Sequence, residues 1–172
     1  MNIKSIKEKV RLVKLSHGDK SITEIFSDLN FVIAHLANDY KYINRTKGCN
    51  IKSNELRAVL INPNLSENEL LEVLAHDLGH VYLHPNDNTF VIGEVETVWV
   101  KKIELEADTF ASEFLLDDDI FKEYIDLNFE QLALKLGVST KLVMLKFDNL
   151  SDDKKKEIEE LYIDNYSVLY SI

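Results

Sequence analysis

The stretch Leu74-Ala75-His76-Asp77-Leu78-Gly79-His80 sets two histidines four residues apart, with a carboxylate beside the first. A helix advances about 100° per residue, so positions i and i+4 share a face. His76 and His80 can therefore close on one zinc ion, with Asp77 projecting beside them. A catalytic zinc takes three protein ligands and leaves a position open for water, so a neighbouring element must supply the third. Cys49 is the only cysteine, which leaves histidines and carboxylates to build such a site.

The segment Glu104-Leu105-Glu106-Ala107-Asp108-Thr109-Phe110-Ala111 offers that third ligand. Glu104 and Asp108 are again i, i+4. Glu104 is expected to bind the metal, and Asp108 to accept a hydrogen bond from the far ring nitrogen of a ligand histidine, fixing its tautomer. Glu106 lies about 200° around the helix from Glu104 and is expected at the surface, paired with Lys102. A glycine inside a helix costs roughly 1 kcal/mol relative to alanine, so Gly79 implies a close approach by the second helix, with Ala107 and Ala111 as the small residues opposite. His84 extends the histidine stripe by a turn, but a drift of about 40° per four residues makes it a poor third ligand. Its open readings are a substitute ligand, a substrate-binding group or the helix end.

These residues need elements to hold them. Ile3, Ile6, Val10 and Val13 recur at helical spacing and predict an amphipathic first helix, its lysines a solvated face. Ser21 with Glu24 forms a capping box, and Ile22 to Ala37 reads as a second helix containing His35. Gly48-Cys49-Asn50 reads as a turn, and Leu56 to Ile61 as a strand ended by Asn62-Pro63-Asn64. Ser66 with Glu69 is a second capping box, opening the motif helix, which should stop near His84 because the residue before Pro85 is driven from helical angles. Phe90 to Val100 is expected to begin as a strand, and a long helix covers about Trp99 to Leu116, ended by Asp117-Asp118-Asp119. Phe129 to Leu150 reads as two short helices joined at Gly137-Val138-Ser139, followed by a charged helix from Ser151 with an apolar, Tyr-rich end. The predicted class is α+β, mostly helical with a small sheet. A single domain over residues 1–172 is expected, with the helical hairpin and tail of 129–172 packed on its body.

Composition narrows the function. With 172 residues, 45% hydrophobic and 29% charged, the chain reads as globular. A formal net charge of -10 argues against nucleic-acid or anionic-membrane surfaces, though not against a basic protein partner. The lysines of Met1 to Lys7 have no apolar core behind them, so no signal peptide is read there, and no apolar run is long enough to span a bilayer. The expected location is the cytoplasm, consistent with a lone cysteine.

Taken together, AVLINPN before the motif, LAHDLGHVYLHP around it, ELEADTFASEFLL after it and the later LALKLGVSTKLV resemble the ImmA/IrrE family of zinc metallopeptidases. That family shows HELGH, followed by a helix of the type E-x-x-A-(D/N)-x-F-A-x-x-L-L, matched here by Glu104, Ala107, Asp108, Phe110, Ala111, Phe114 and Leu115. The resemblance implies a zincin-like core with two metal-bearing helices. It implies Zn2+ on His76, His80 and Glu104, and a general base at Asp77. It further implies a transcriptional repressor, of a phage or mobile element, as the protein that is cleaved or inactivated. This chain departs from the family at Asp77, which is shorter than the usual Glu by one methylene, about 1.5 Å of reach. A base must come within about 2.6–3.2 Å of its proton, directly or through one water, so weak or context-dependent activity is expected.

Three other readings compete. A non-catalytic zinc-binding antirepressor would sequester its protein partner without cutting it. An HD-type phosphohydrolase would use His76 and Asp77 as ligands with His35 upstream, but such enzymes are essentially all-helical and leave Glu104 and Asp108 unexplained. Leu132 to Val143 matches helix-turn-helix spacing, but its second helix offers only Lys141 and Lys146 as cations, so a helical hairpin on the body is the expectation.

Overall fold

The computed structural model describes residues 2–39, 46–53, 56–86 and 97–169, with side chains described as far as Tyr162. These residues fall into two compact units, 1–114 and 115–172.

The first unit opens with α1 (Ile3–His17), which buries Ile6, Val10 and Val13 as their spacing predicts. The Asn2 side chain caps it by accepting from the Ser5 amide. Next comes α2 (Ile22–Asp28), opened by the full Ser21/Glu24 capping box. It is much shorter than the expected Ile22–Ala37 helix. Asn30 takes a left-handed backbone with φ of 59°. The Phe31 amide then donates to Phe26 O at 2.8 Å, and the Asn30 amide to Ser27 O at 3.0 Å. This is the hydrogen-bond pattern of a Schellman stop, completed by edge-on contact of the Phe26 and Phe31 rings. The apolar run beyond it pairs as strand β1 (Val32–His35), which places His35 on the sheet and exposed, not on a helix.

Two further strands complete the sheet, β2 (Gly48–Lys52) and β3 (Arg57–Ile61). The order is β1-β3-β2, with β1 parallel and β2 antiparallel to the central β3. Gly48-Cys49-Asn50 is therefore strand, not turn. Its Gly and Asn are weak strand formers, and pairing with the apolar β3 overrides them. Val59 and Ile61 of β3 are almost fully buried.

The motif helix α3 (Glu67–Leu83) starts at the Ser66/Glu69 capping box and stops at His84, just before Pro85. It packs on β2, β3 and α2. The helix that carries Glu104 and Asp108 is α4 (Val98–Leu115), within one residue of its predicted bounds. Thr97 is outside any strand, Val98 to Val100 are helical, and residues 90–96 of the expected strand lie outside the described residues. Leu74, Ala75 and Leu78 of α3, with Ile103, Ala107 and Phe110 of α4, are buried core residues.

In the second unit, the short helix α5 (Ile120–Glu123) was not legible in the sequence. The two helices joined at Gly137 are α6 (Phe129–Leu136) and α7 (Thr140–Asp148). Gly137 holds the left-handed C-terminal position of α6, with φ of 67°. The charged helix is α8 (Asp152–Leu169). Asp118 ties this unit together by accepting from Lys146 at 2.6 Å and Lys154 at 2.9 Å. The mostly helical α+β class is thus the one observed.

Candidate metal centre

Helix α3 carries His76 and His80, and α4 carries Glu104 and Asp108, all within the first unit. The two helices come close because Gly79 lacks a side chain. A Cβ there would sit 3.0 Å from Phe110 Cβ and 3.1 Å from both Cα and O of Ala107. The small residue opposite Gly79 is thus Ala107, as expected, while Phe110 takes the place expected for Ala111.

This approach brings three side chains together. His76 Nε2 and His80 Nε2 lie 3.0 Å apart. His76 Nε2 is 3.3 Å from Glu104 Oε2, and His80 Nε2 is 3.4 Å from Glu104 Oε1. A tetrahedral zinc site, with bonds of about 2.0–2.2 Å, sets neighbouring ligand atoms roughly 3.3–3.5 Å apart. The triangle formed by His76, His80 and Glu104 therefore has edges suited to such an ion, and the donor set is one that zinc takes. Among the described residues, this is the group of three or more His, Cys, Asp or Glu whose ligand atoms converge, all within 4.8 Å of one another.

Asp108 stands behind His76, with its Oδ1 2.9 Å from His76 Nδ1. That contact fixes Nδ1 as the protonated nitrogen and turns Nε2 towards the triangle. His80 is 1% exposed, and its Nδ1 has no hydrogen-bond partner. His76 keeps 25% and Glu104 41% of their side-chain surface open, which gives the triangle an accessible side.

The charges follow from this crowding. Burial alone would push the His76 imidazole down. Its hydrogen bonds to Asp108 and Glu104, with the Asp77 and Asp108 charges, overcome that and raise it to about 10. Burial lowers His80 and keeps it neutral near pH 7. Burial would raise the Glu104 carboxyl, but hydrogen bonds from His76 and His80 hold it well below the usual carboxylate range. Without a metal, the triangle thus keeps an extra proton on His76 beside the Glu104 carboxylate. A bound cation would replace that proton.

Asp77 is placed differently. It lies outside the converging atoms and is 2% exposed, against strand β2. Its Oδ1 accepts from Asn50 Nδ2 at 3.2 Å, and its Oδ2 has no hydrogen-bond partner. Burial pushes its carboxyl up to about 6, against the lowering pull of His76, Asn50 and Lys52. A Cβ at Gly48 would stand 3.1 Å from Asp77 Oδ2 and run into Val73.

One expectation needs correction, and two partners were missed. Glu106 does turn away from the triangle, but it is not a surface partner of Lys102. Its side chain is 16% exposed, and Oε2 lies 3.5 Å from His84 Nε2. The drift along α3 that takes His84 off the His76/His80 face carries it towards Glu106 instead. His84 is also the residue that ends α3. His35, which the phosphohydrolase reading needs as a ligand, is on β1 and outside the triangle. Asn50 and Lys52 escaped the sequence reading because their segment read as a turn. Once it is a strand, its period of two puts Gly48, Asn50 and Lys52 on one face.

Comparison with known proteins points the same way. Residues 33–147 match the model of the IrrE N-terminal-like domain, a peptidase family. The chain is 34% identical to metallopeptidase ImmA of Bacillus subtilis (strain 168) over 139 residues, covering 78% of this chain and 79% of that protein. It is 38% identical to an uncharacterized immunity region protein of Bacillus phage phi105 over 109 residues, 62% of this chain. The match spans 63% of that phage protein's length.

Proposed function

The chain belongs to the ImmA/IrrE metallopeptidase family, and on that premise we propose that it is a zinc-dependent endopeptidase that inactivates a transcriptional repressor of a phage or mobile element. The observation that carries the metal assignment is the triangle of His76, His80 and Glu104, braced by Asp108. In this reading His76, His80 and Glu104 are the ligands. A zinc ion held there would supply Lewis-acid activation of a water and of the scissile carbonyl. Asp77, next to the ligand His76 on α3, is the general base. Asp108 keeps the His76 ring in one orientation throughout. The partner is a helix-turn-helix repressor, in keeping with the immunity-region relative. The place of action is the cytoplasm. A lone cysteine fits that, and no helix among the described residues is long and apolar enough to cross a membrane.

The test is incubation of the zinc-loaded protein with a candidate repressor, followed by mass spectrometry of the products. One cut is expected, absent with His76→Ala and with chelator. A second reading has its own observation. Asp77 is short, buried and held against the sheet, which suits an antirepressor that binds without cutting. A stable complex with intact repressor, and no product at any zinc concentration, would select that reading.

A further inference from the structure

From the contact between strand β2 and helix α3 we infer that Asn50 is a positioning residue for Asp77, holding its carboxylate in one orientation by one oxygen. The inference rests on the peptidase reading above for its catalytic meaning, but the pairing itself is independent of it.

Asn50 sits mid-strand and is 0% exposed, at a position where a β-branched apolar residue is the ordinary choice. Burying a side-chain amide carries a cost unless it is hydrogen-bonded, so a polar group here has a reason. Its Nδ2 donates to Asp77 Oδ1, at 3.2 Å. An ionised carboxylate only accepts, so the amide nitrogen must face it. The other oxygen, Asp77 Oδ2, is equally buried and has no hydrogen bond. The neighbouring strand position on the same face is Gly48, where any side chain would crowd Oδ2 and Val73. The next, Lys52, donates to His84 O at 3.3 Å, at the end of α3. One strand face thus does three things along α3. It leaves room at Gly48, grips Oδ1 at Asn50, and holds the end of α3 at Lys52. With Oδ1 gripped by Asn50 and Oδ2 packed at the Gly48 position, the carboxylate is held in one orientation that a freely rotating aspartate would not keep. For a base shorter than glutamate, such orientation matters more, because small misplacement removes it from reach.

Asn50→Leu keeps the side-chain size and removes the donor. In the zinc-loaded full chain, kcat for repressor cleavage should fall roughly 10- to 100-fold, the effect of losing one hydrogen bond to a charged group. KM and the zinc content should stay as in the native protein, and Asn50→Ser, which restores a donor, should recover part of kcat. A kcat within twofold of native overturns the inference, as does loss of zinc in parallel with activity, which marks Asn50 as purely structural. The second measurement leaves Asn50 in place. The side-chain amide NMR signal of Asn50 should lie away from that of a solvated amide, and should move back with Asp77→Ala. A signal that ignores Asp77→Ala overturns the pairing even if Asn50→Leu fails to fold. A native protein that cuts no repressor, yet shows the displaced signal, retains the pairing and overturns the peptidase reading alone.

Discussion

Removing the charge of Asp77 should stabilise the metal-free protein, and only above a definite pH. The group is 2% exposed, and burial is the first cause that raises its carboxyl from 3.8 to about 6. A folded-state value above the unfolded one means that the folded chain holds the proton more tightly. Stability is therefore full below pH 3.8, and is lost as pH rises through 6. The gap corresponds to about 3 kcal/mol at 1.36 kcal/mol per pH unit. Asp77→Asn escapes this loss. The variant has its own cost, because an amide NH2 replaces an oxygen that already lacks a partner, but that cost does not vary with pH. The quantity to measure is the difference in unfolding free energy between variant and native protein, by urea titration with chelator at pH 4 and pH 7.5. It should swing by about 2.4 kcal/mol in favour of the variant, since the unfolded group is already partly ionised at pH 4, a relative midpoint shift of roughly 1–2 M urea. The same variant should bind zinc and fail to cleave, since an amide cannot take the proton. A difference that stays constant within about 0.5 kcal/mol from pH 4 to 7.5 would refute the claim that a desolvated, ionised Asp77 sits against β2.

Other perturbations test the surroundings of the triangle. Asp108→Ala should weaken zinc affinity roughly 10- to 100-fold by freeing the His76 ring, measured by competition with a chelating dye. Zinc affinity of native protein should rise by up to about tenfold per pH unit from pH 7 to roughly 8.5, below the hydrolysis of aqueous zinc, because His76, raised to about 10, must release its proton first. Calorimetry in buffers of different ionisation heat should count about one proton released per zinc at pH 7. Gly79→Ala should destabilise the fold by about 1–3 kcal/mol in thermal unfolding, despite alanine's better helix propensity, since the new Cβ meets Ala107 backbone at 3.1 Å. Separation of α3 from α4 should also cost zinc affinity in that variant.

The parts of the molecule legible in the sequence are those with local causes. The capping boxes at Ser21 and Ser66, the Pro85 stop and the i, i+4 pairs are each written within a few residues, and the structure contains each of them. The stop at Asn30 was local too, but asparagine in a left-handed turn is a weaker signal than glycine, and the apolar residues beyond it continued a plausible helix. Strand β2 had no local cause. Gly48 and Asn50 disfavour a strand, and only pairing with β3 and contact with α3 make one. That is why the triangle of His76, His80 and Glu104 was readable in advance, while the support beneath Asp77 was not. Glu106 shows the same limit from the other side. Helical angles fix where it points, but not that His84 would be waiting there.

All of the chemistry rests on the metal. Elemental analysis by mass spectrometry of protein purified without added metal tests it directly. One zinc per chain is expected, lost with His76→Ala, His80→Ala and Glu104→Ala, and kept with Asp77→Asn. Native protein free of zinc that also fails to take it up, or full zinc occupancy in His76→Ala, would contradict it.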